Sequence, residues 1–238
     1  DHREYMVKQI KEEVIPALEK ISGKKYDEDA LKERLELSVQ AEDDLVWVLQ
    51  SAMNKPSPID SYFGAVYYVG PIFSAFRGTP EGVHYYQALR REVQGRLDAG
   101  LGPVAPNGPM KEEKYRLVVE GPPNWTHFRE FWNMFADEGA VVVASTYSKV
   151  GGTYDFGFRH NPQDPLGTMG DYCAGCYTNH NLPNRIDMLC QYLKDYEADG
   201  FLINSVKSCN SFSAGQLMIL REVEKRTGLP GGFIESDL

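Results

Sequence analysis

The spacing of apolar residues predicts that the first part of the chain is almost entirely helical. In residues 1–99 apolar side chains recur every three or four positions, which is the period of an amphipathic helix. The first predicted helix is kinked at Pro16, because proline lacks an N–H donor, and it ends at Gly23. A second helix is predicted from a cap at Asp29 to about Met53.

Two hydroxyl–proline pairs predict the starts of two further helices. Ser57-Pro58 precedes the aromatic segment 59–76, and Thr79-Pro80 precedes a helix that continues to about Ala99. In each pair the hydroxyl would cap the helix, and the proline would occupy its first position. Residues 62–76 are apolar on nearly every side, which favours a buried core helix. The alternative is an aromatic wall that faces a substrate.

From residue 115 onwards, short apolar runs alternate with helical spacing. Residues 100–109 contain three Gly and three Pro, which predict a linker. The predicted strands are residues 115–120, 140–145, 201–206 and 232–235. The predicted helices are residues 125–138, residues 183–196 and a helix of about four turns that ends at Gly228, whereas residues 146–181 are predicted to be irregular.

These elements predict an α/β fold with a helical N-terminal region and an open, mostly parallel, doubly wound (Rossmann-like) sheet. Strands joined by helices pair in parallel with right-handed crossovers, which is the basis of this prediction. The predicted organisation is a helical region at residues 1–109 and an α/β domain at residues 110–238. The sequence lacks an initiator Met and ends directly after a strand-end motif, so we expect it to be part of a longer polypeptide.

Composition argues against several classes of partner. The net charge of −9 disfavours binding to nucleic acid or to an anionic membrane, because both attract basic surfaces. Within residues 1–238 we recognise no signal-peptide pattern and no apolar run of the roughly 18 residues that a membrane span needs. Four cysteines in 238 residues do not make a disulfide framework, so we expect free thiols or metal ligands in a cytoplasmic protein.

Three of the four cysteines are interpreted first as structural. Cys190 lies among apolar residues at helical spacing and is expected to be a small buried side chain. Cys173 and Cys176 form a Cys-x-x-Cys pair with His180 nearby. This spacing fits one edge of a zinc or iron–sulfur site, a redox dithiol, or two loop thiols. Because no second pair is present, two loop thiols are the favoured interpretation.

Cys209 differs because it follows a predicted strand instead of lying on a helix face. Ligands in such sheets bind beyond the carboxyl ends of the strands, and Glu235 and Asp237 fall at the same edge. Cys209 also precedes a helix N-terminus, where backbone amides stabilise a thiolate. Side chains that can donate hydrogen bonds to cluster sulfurs surround it: Ser208, Asn210, Ser211 and Ser213. A functional thiolate and a structural loop cysteine are both open interpretations.

The end of the second predicted strand carries a further polar group of residues. Residues 145–152 contain hydroxyls, Lys149 and a pair of glycines, which could cradle a phosphate or a pantetheine arm, although an ordinary turn is favoured. The sequence contains neither the dinucleotide fingerprint GxGxxG nor the P-loop GxxxxGK[ST]. The five histidines are scattered, so the sequence predicts no Ser–His–Asp triad.

Long segments of the chain resemble the family of 2-hydroxyacyl-CoA dehydratases and benzoyl-CoA reductases. The resemblance extends over essentially the whole sequence and is strongest to the B-type subunits of ATP-dependent benzoyl-CoA reductases. Matches of this length are far more specific than a short motif. The segments are AEDDLVWVLQSA (41–52), PSPIDSYFGAVYYVGPIFSAFRGT (56–79), MKEEKYRLVVEGPPNWTHFREFW (110–132), DYCAGCYTNHNLPNR (171–185) and INSVKSCNSFSAGQ (203–216).

The resemblance implies that two related subunits pair and that each holds a [4Fe-4S] cluster through three cysteines. Two of these cysteines would come from an N-terminal domain without a counterpart in this chain. The third, on the loop after a strand of the C-terminal domain, corresponds to Cys209. Residues 110–238 would then be the cluster-binding domain, with Cys209 expected as a free thiol in this chain. The resemblance assigns no ligand role to Cys173 or Cys176.

The chemistry implied by the resemblance is low-potential electron transfer to a thioester-activated ring. A separate pair of ATP-hydrolysing activator subunits would deliver electrons, and the clusters would pass them to benzoyl-CoA, giving a cyclic dienoyl-CoA. One alternative is a subunit of a 2-hydroxyacyl-CoA dehydratase. The other is a non-catalytic subunit that pairs with and positions a catalytic partner. The residues that supply protons are not identified by the sequence.

Overall fold

The computed structural model describes residues 2–61, 70–71, 76–105, 108–109, 112–149 and 156–237. A π-helical turn at Ile10–Val14 joins the first two α-helices. The α-helices in these ranges are α1 (His2–Gln9), α2 (Ile15–Ser22), α3 (Glu28–Gln50), α4 (Pro80–Asp98), α5 (Phe128–Asp137), α6 (Pro165–Ala174), α7 (Leu182–Asp195), α8 (Asn210–Ser213) and α9 (Gln216–Thr227).

A central sheet of four parallel strands forms the second part of the chain. Its strands are β3 (Tyr115–Glu120), β4 (Ala140–Ser145), β5 (Gly200–Val206) and β6 (Gly231–Ser236), in the spatial order β4-β3-β5-β6. A short antiparallel pair, β1 (Val104–Ala105) and β2 (Gly108–Pro109), lies in the predicted linker. The chain runs from β3 outward to β4, returns past β3 to β5, and continues to β6. The predicted open, doubly wound parallel sheet is confirmed.

Both faces of the sheet are covered, because alternate strand residues point to opposite sides. On one face Val118 and Ile203 pack in a core that includes α7 and α9. On the other face Val119 and Val142 pack with Trp132 of α5. Burying a side chain of this kind contributes roughly 1.5–3 kcal/mol relative to exposure. Helices on both faces therefore hold the strand ends in fixed positions.

Two boundaries in the helical part agree with the sequence. Thr79 Oγ1 accepts a hydrogen bond from the N–H of Gly82 at 3.1 Å, and Pro80 is the first residue of α4. Gly23 follows α2 in the left-handed region, with φ of +70°. The predicted kink at Pro16 takes the form of the π-helical turn before α2, which accommodates the missing N–H and the ring.

Two predicted caps are wrong. The cap of α3 is Asp27, whose Oδ1 accepts from the N–H groups of Asp29 at 3.0 Å and Ala30 at 3.1 Å. Asp29 is already inside the first turn, so its side chain cannot cap that turn. Ser57 caps no helix, because its hydroxyl donates to the carbonyl oxygen of Ile59 at 2.6 Å and residues 58 and 59 form a bend.

Two elements of the α/β part also differ from the prediction. Residues 146–181 are not irregular throughout, because they contain α6, whose cap Asp164 accepts from the N–H of Gly167 at 3.2 Å. The glycines and polar residues of α6 hide the helical period. The helix predicted to end at Gly228 is α9, which begins only at Gln216 because Gly215 adopts φ of +79°, and the short helix α8 lies before that glycine.

The apolar core crosses the predicted boundary at residue 109. Val48, Ala52 and Val93 of the helical part belong to the same buried cluster as Val143 of the sheet. The helical part thus packs onto the sheet, and the division into two domains stays a prediction.

Helix α1 packs on α6, which lies far along the chain. Arg3 Nε lies 2.9 Å from Asp171 Oδ1, and the same guanidinium also pairs with Asp164. The helices approach closely at Gly170, where an added Cβ would lie 3.1 Å from Val7 Cγ2. These contacts join the first helix to the α/β part.

In the ranges given above, no helix combines the length and apolar character that crossing a membrane requires. Of the predicted aromatic segment, residues 62–69 and 72–75 lie outside the described residues.

Candidate functional site

The carboxyl ends of β3 and β5 are adjacent, and the chain leaves them in opposite directions. Strand β3 ends at Glu120, which is paired in register with Ile203 of β5. The chain continues from β3 to β4 on one side and from β5 to β6 on the other. Crevices at such points bind ligands in open α/β sheets. This edge is therefore the candidate functional site.

The two strand ends are in direct backbone contact at Gly121. Its φ is +112°, and a Cβ there would lie 2.1 Å from the carbonyl oxygen of Asn204, so only glycine fits. Asn204 Nδ2 donates to the carbonyl oxygen of Pro122 at 2.6 Å, and its Oδ1 accepts from Ser236 Oγ at 2.9 Å. One buried side chain thus links the ends of β3, β5 and β6.

Cys209 lies at this edge, on the loop that follows β5. Its N–H donates to the carbonyl oxygen of Val206 at 3.1 Å. Its own carbonyl accepts from the N–H groups of Phe212 at 3.1 Å and Ser213 at 3.0 Å, which closes the loop into α8. The thiol is free and half-buried. Backbone hydrogen bonds therefore fix the position from which the thiol projects.

A fully buried carboxylate with three side-chain donors lies beneath this loop. Glu120 Oε1 accepts from Arg185 Nη2 at 2.6 Å and from the hydroxyl of Tyr177 at 3.0 Å. Its Oε2 accepts from Gln216 Nε2. These four residues, the Glu120 cluster, come from β3, α7, a 3-10 turn and α9, so they join the elements around the site.

The Glu120 cluster also contacts the Cys209 loop directly. Arg185 Nη2 donates to the carbonyl oxygen of Phe212 at 2.9 Å. Its Nη1 lies 3.4 Å from the carbonyl oxygen of Ala214 and 3.5 Å from that of Ser211. The ring of Tyr177 stacks on Phe212 with centroids 5.9 Å apart, and the guanidinium of Arg185 lies over that ring. Polar and aromatic contacts thus meet on the same loop.

Burial is the largest single influence on the pKa of each titratable residue of the cluster. It raises the pKa of Glu120 above its ordinary value, although Arg185, Gln216 and Tyr177 favour the carboxylate. Burial lowers the pKa of Arg185, but Tyr177 and Glu120 outweigh it, so the pKa is raised overall. Burial and then the Glu120 carboxylate raise the pKa of Tyr177 well above its ordinary value. Arginine stays protonated, so Glu120 is its counter-ion; losing either partner would cost about 3–5 kcal/mol.

The Cys-x-x-Cys pair directly precedes Tyr177 in the sequence. Cys173 is in the last turn of α6, and Cys176 Sγ lies 3.4 Å from Thr178 Oγ1. Burial raises the pKa of Cys173, and Cys176 raises it further, which disfavours the thiolate that a metal or cluster needs. Cys173 and Cys176 are not joined by a disulfide. Because Tyr177 directly follows Cys176, this segment is anchored to the Glu120 cluster.

The remaining predicted metal and thiol candidates are placed as follows. Cys190 packs against the main core from α7, and burial raises the pKa of its thiol. His180 is half-buried after the Cys-x-x-Cys segment. Within the part of the chain that the structure describes, no three His, Cys, Asp or Glu side chains are grouped to hold a metal ion.

The acidic residues at the end of β6 contact the Cys209 loop. Lys207 Nζ lies 3.2 Å from Glu235 Oε2. Ser208 Oγ donates to Asp237 Oδ1 at 2.5 Å. The structure therefore brings these predicted residues to the same edge as Cys209, where they tie the two loops together.

The hydroxyl side chains at the end of β4 and directly after it form hydrogen bonds within the protein. Thr146 Oγ1 accepts from the N–H of Gly121 at 3.1 Å, and Ser148 Oγ donates to the carbonyl oxygen of Ser145 at 2.7 Å. All three hydroxyl residues are buried. This supports the turn interpretation over a phosphate cradle, while residues 150–155 lie outside the described ranges.

No prediction from sequence includes the Glu120 cluster, although two signals exist. Arg185 is at helical spacing with Leu189, so a charge lies on the apolar face of α7. Glu120 follows the apolar run Leu117, Val118 and Val119 at the end of β3. From sequence alone, each charged residue would be predicted to lie exposed at the end of its element. Only the fold shows that Glu120 and Arg185 pair.

Comparison with known proteins identifies relatives over the whole sequence. Residues 1–238 match the family described as 2-hydroxyglutaryl-CoA dehydratase, D-component. The chain is 67% identical to the B-type subunit of benzoyl-CoA reductase from Thauera aromatica, over 99% of this chain and 55% of that protein. It is 27% identical to the (R)-2-hydroxyisocaproyl-CoA dehydratase alpha subunit of Clostridioides difficile, over 95% of this chain and 52% of that protein.

A third relative is the (R)-phenyllactyl-CoA dehydratase alpha subunit of Clostridium sporogenes, at 26% identity over 95% of this chain and 52% of that protein. The resemblance inferred from the five sequence segments is thus confirmed. The chain spans about half the length of the curated relatives it matches.

Proposed function

The chain belongs to the 2-hydroxyglutaryl-CoA dehydratase D-component family, and on that basis we propose that it is part of the B-type subunit of an ATP-dependent benzoyl-CoA reductase. The observation that carries the proposal is its identity to a B-type subunit of benzoyl-CoA reductase, which is more than twice its identity to the dehydratase subunits. The reaction would pass low-potential electrons to benzoyl-CoA and give a cyclic dienoyl-CoA.

In this proposal Cys209 is the thiolate that the chain contributes to a [4Fe-4S] cluster. Its half-buried thiol at the carboxyl end of β5 fits one thiolate position. The described residues supply no complete ligand set, so the other ligands would come from outside them. A bound cluster would supply one-electron transfer. The role of this chain's own residues is to hold and orient that thiol.

The proposal also includes partners and a substrate. An aryl-CoA thioester would be the substrate, a related cluster-binding subunit would be the pairing partner, and ATP-hydrolysing activator subunits would deliver electrons. The cytoplasm is the proposed location, where four thiols without a disulfide framework stay reduced.

Iron content of the complete subunit tests the ligand assignment. The subunit is produced with its pairing partner and purified without oxygen, as wild type, Cys209→Ser and Cys190→Ser. We expect Cys209→Ser to lower the iron bound to this subunit and to abolish benzoyl-CoA reduction, since serine is a poor cluster ligand. Cys190→Ser should retain iron. Full iron in Cys209→Ser, with loss in Cys173→Ser or Cys176→Ser, would contradict the assignment.

A dehydratase subunit is the second candidate, because relatives in that branch match nearly the whole chain. Assaying benzoyl-CoA and a 2-hydroxyacyl-CoA side by side, with the activator present, separates the two reactions. Dehydration without ring reduction would favour the dehydratase. An iron-free complete subunit would instead favour a non-catalytic pairing role.

A further inference from the structure

We propose that Arg185 and Glu120 are positioning residues for the Cys209 loop, defined as residues 207–214. Arg185 holds the loop through its carbonyl oxygens, and Glu120 fixes the guanidinium and balances its charge. The inference rests on the proposed role of Cys209, and it adds how the position and the electrostatic surroundings of that thiol are set.

The first support is which atoms Arg185 contacts. The carbonyl oxygens of Ser211, Phe212 and Ala214 belong to the end of α8, where carbonyls have no partner within the helix. The left-handed Gly215 then turns the chain away, so these groups are not used by a following turn. A guanidinium presents several N–H donors in a fixed planar arrangement. A lysine at this position could not donate to Glu120 and to all three carbonyl oxygens at once.

The second support is the buried charge itself. A buried ion pair is often no more stabilising than apolar side chains of the same volume, so stability alone does not explain one. Here the pair does what apolar side chains cannot: it reaches the loop carbonyls from α7 and anchors them to the end of β3. Tyr177 adds a second link, because it donates to Glu120 and stacks on Phe212.

The protein contains a matched control at the opposite end of β3. Arg116 is also a buried arginine with a carboxylate partner, Glu113. It donates from Nε to the carbonyl oxygen of Tyr196 at 2.9 Å and from Nη2 to that of Ala52 at 2.7 Å. Like Arg185, Arg116 therefore pairs with a carboxylate and donates to backbone carbonyl oxygens, but it does so at the edge of the sheet remote from Cys209.

The first experiment measures hydrogen exchange of the loop amides, without requiring a cluster. The complete subunit with its pairing partner is prepared in cluster-free form as wild type, Arg185→Lys, Glu120→Gln and Arg116→Lys. We expect exchange in residues 208–214 to quicken by about tenfold or more in the first two variants, because local stability is lost there. In Arg116→Lys the faster exchange should be confined to the amino-terminal edge of the sheet.

The second experiment separates charge from position in the iron-loaded subunit. Glu120→Gln removes one negative charge near the cluster, so the midpoint potential should rise, because the reduced form carries the extra negative charge. Arg185→Lys keeps the charge, so its potential should stay close to that of the wild type, while iron release to a chelator should quicken. Both measurements are independent of turnover.

The outcomes distinguish the inference from the function on which it rests. Full iron in Cys209→Ser would overturn the ligand role, whatever the Arg185 variant shows. Loss of iron in Cys209→Ser would leave that role standing. The positioning role would then be overturned if Arg185→Lys and Arg116→Lys gave the same exchange pattern, or if Glu120→Gln left the potential unchanged.

Discussion

The backbone of Gly121 lies against the carbonyl oxygen of Asn204, so close that a Cβ at residue 121 would lie 2.1 Å from that oxygen. We therefore expect Gly121→Ala to lower the free energy of unfolding by about 3 kcal/mol or more, through backbone strain and through separation of β3 from β5. Urea-induced unfolding followed by circular dichroism measures the change.

Gly228→Ala is the matched control for that prediction. Gly228 also has a positive φ, of +70°, but no atom lies within 4 Å of the position of its Cβ. Gly228→Ala should therefore lower the free energy of unfolding only through backbone strain, by on the order of 1 kcal/mol. Equal losses in the two variants would show that the contact with Asn204 contributes nothing beyond backbone strain.

Helix α3 provides a test of which aspartate caps it. Asp27→Ala removes the acceptor of two backbone N–H groups, so it should cost about 1 kcal/mol of unfolding free energy. Asp29→Ala removes an exposed ion pair with Lys32 and should cost no more than about 0.5 kcal/mol. Thermal unfolding of the two variants gives the comparison, and a larger loss for Asp29→Ala would restore the cap predicted from the sequence.

The hydroxyl of Tyr177 predicts a pH-dependent difference in stability. At neutral pH, Tyr177→Phe should cost about 1–3 kcal/mol, because Glu120 loses a buried donor. Burial and the Glu120 carboxylate raise the pKa of Tyr177 in the folded protein. Above about pH 10 the unfolded chain releases this proton while the folded protein keeps it, so wild-type stability falls as pH rises.

Tyr177→Phe lacks that titration. The stability difference between wild type and Tyr177→Phe should therefore shrink from pH 9 upwards, about one unit below the ordinary tyrosine pKa. Urea midpoints across the alkaline range measure it. A difference that stays constant would contradict the buried, protonated hydroxyl.

Much of the fold could be predicted because apolar periodicity reports which faces are buried. Strands β3 and β4 have the predicted bounds, since their valine-rich runs are buried on both faces. Helix α6 could not be predicted, because its glycines and polar residues hide the helical period and it packs mainly on α1, which is distant in sequence. The start of α9 could not be placed from sequence, because a glycine in a helical pattern need not adopt the left-handed conformation that Gly215 has.

The candidate site could be predicted only where one element determines it. Cys209 follows a strand, so its place at the carboxyl edge follows from the order of elements. Glu120 and Arg185 are 65 residues apart in sequence, and their pairing depends on α7 packing beside β3. Local patterns contain no information of that kind.

The packing of α1 on α6 has a consequence for the order of synthesis. Arg3 and Asp164 are 161 residues apart, so α1 emerges from the ribosome long before its partner helix exists. At about 5–20 residues per second, that interval is roughly 8–30 s, far longer than a helix needs to form. Throughout it, Val7 lacks the α6 surface that it contacts in the finished protein, so α1 stays undocked on the nascent chain.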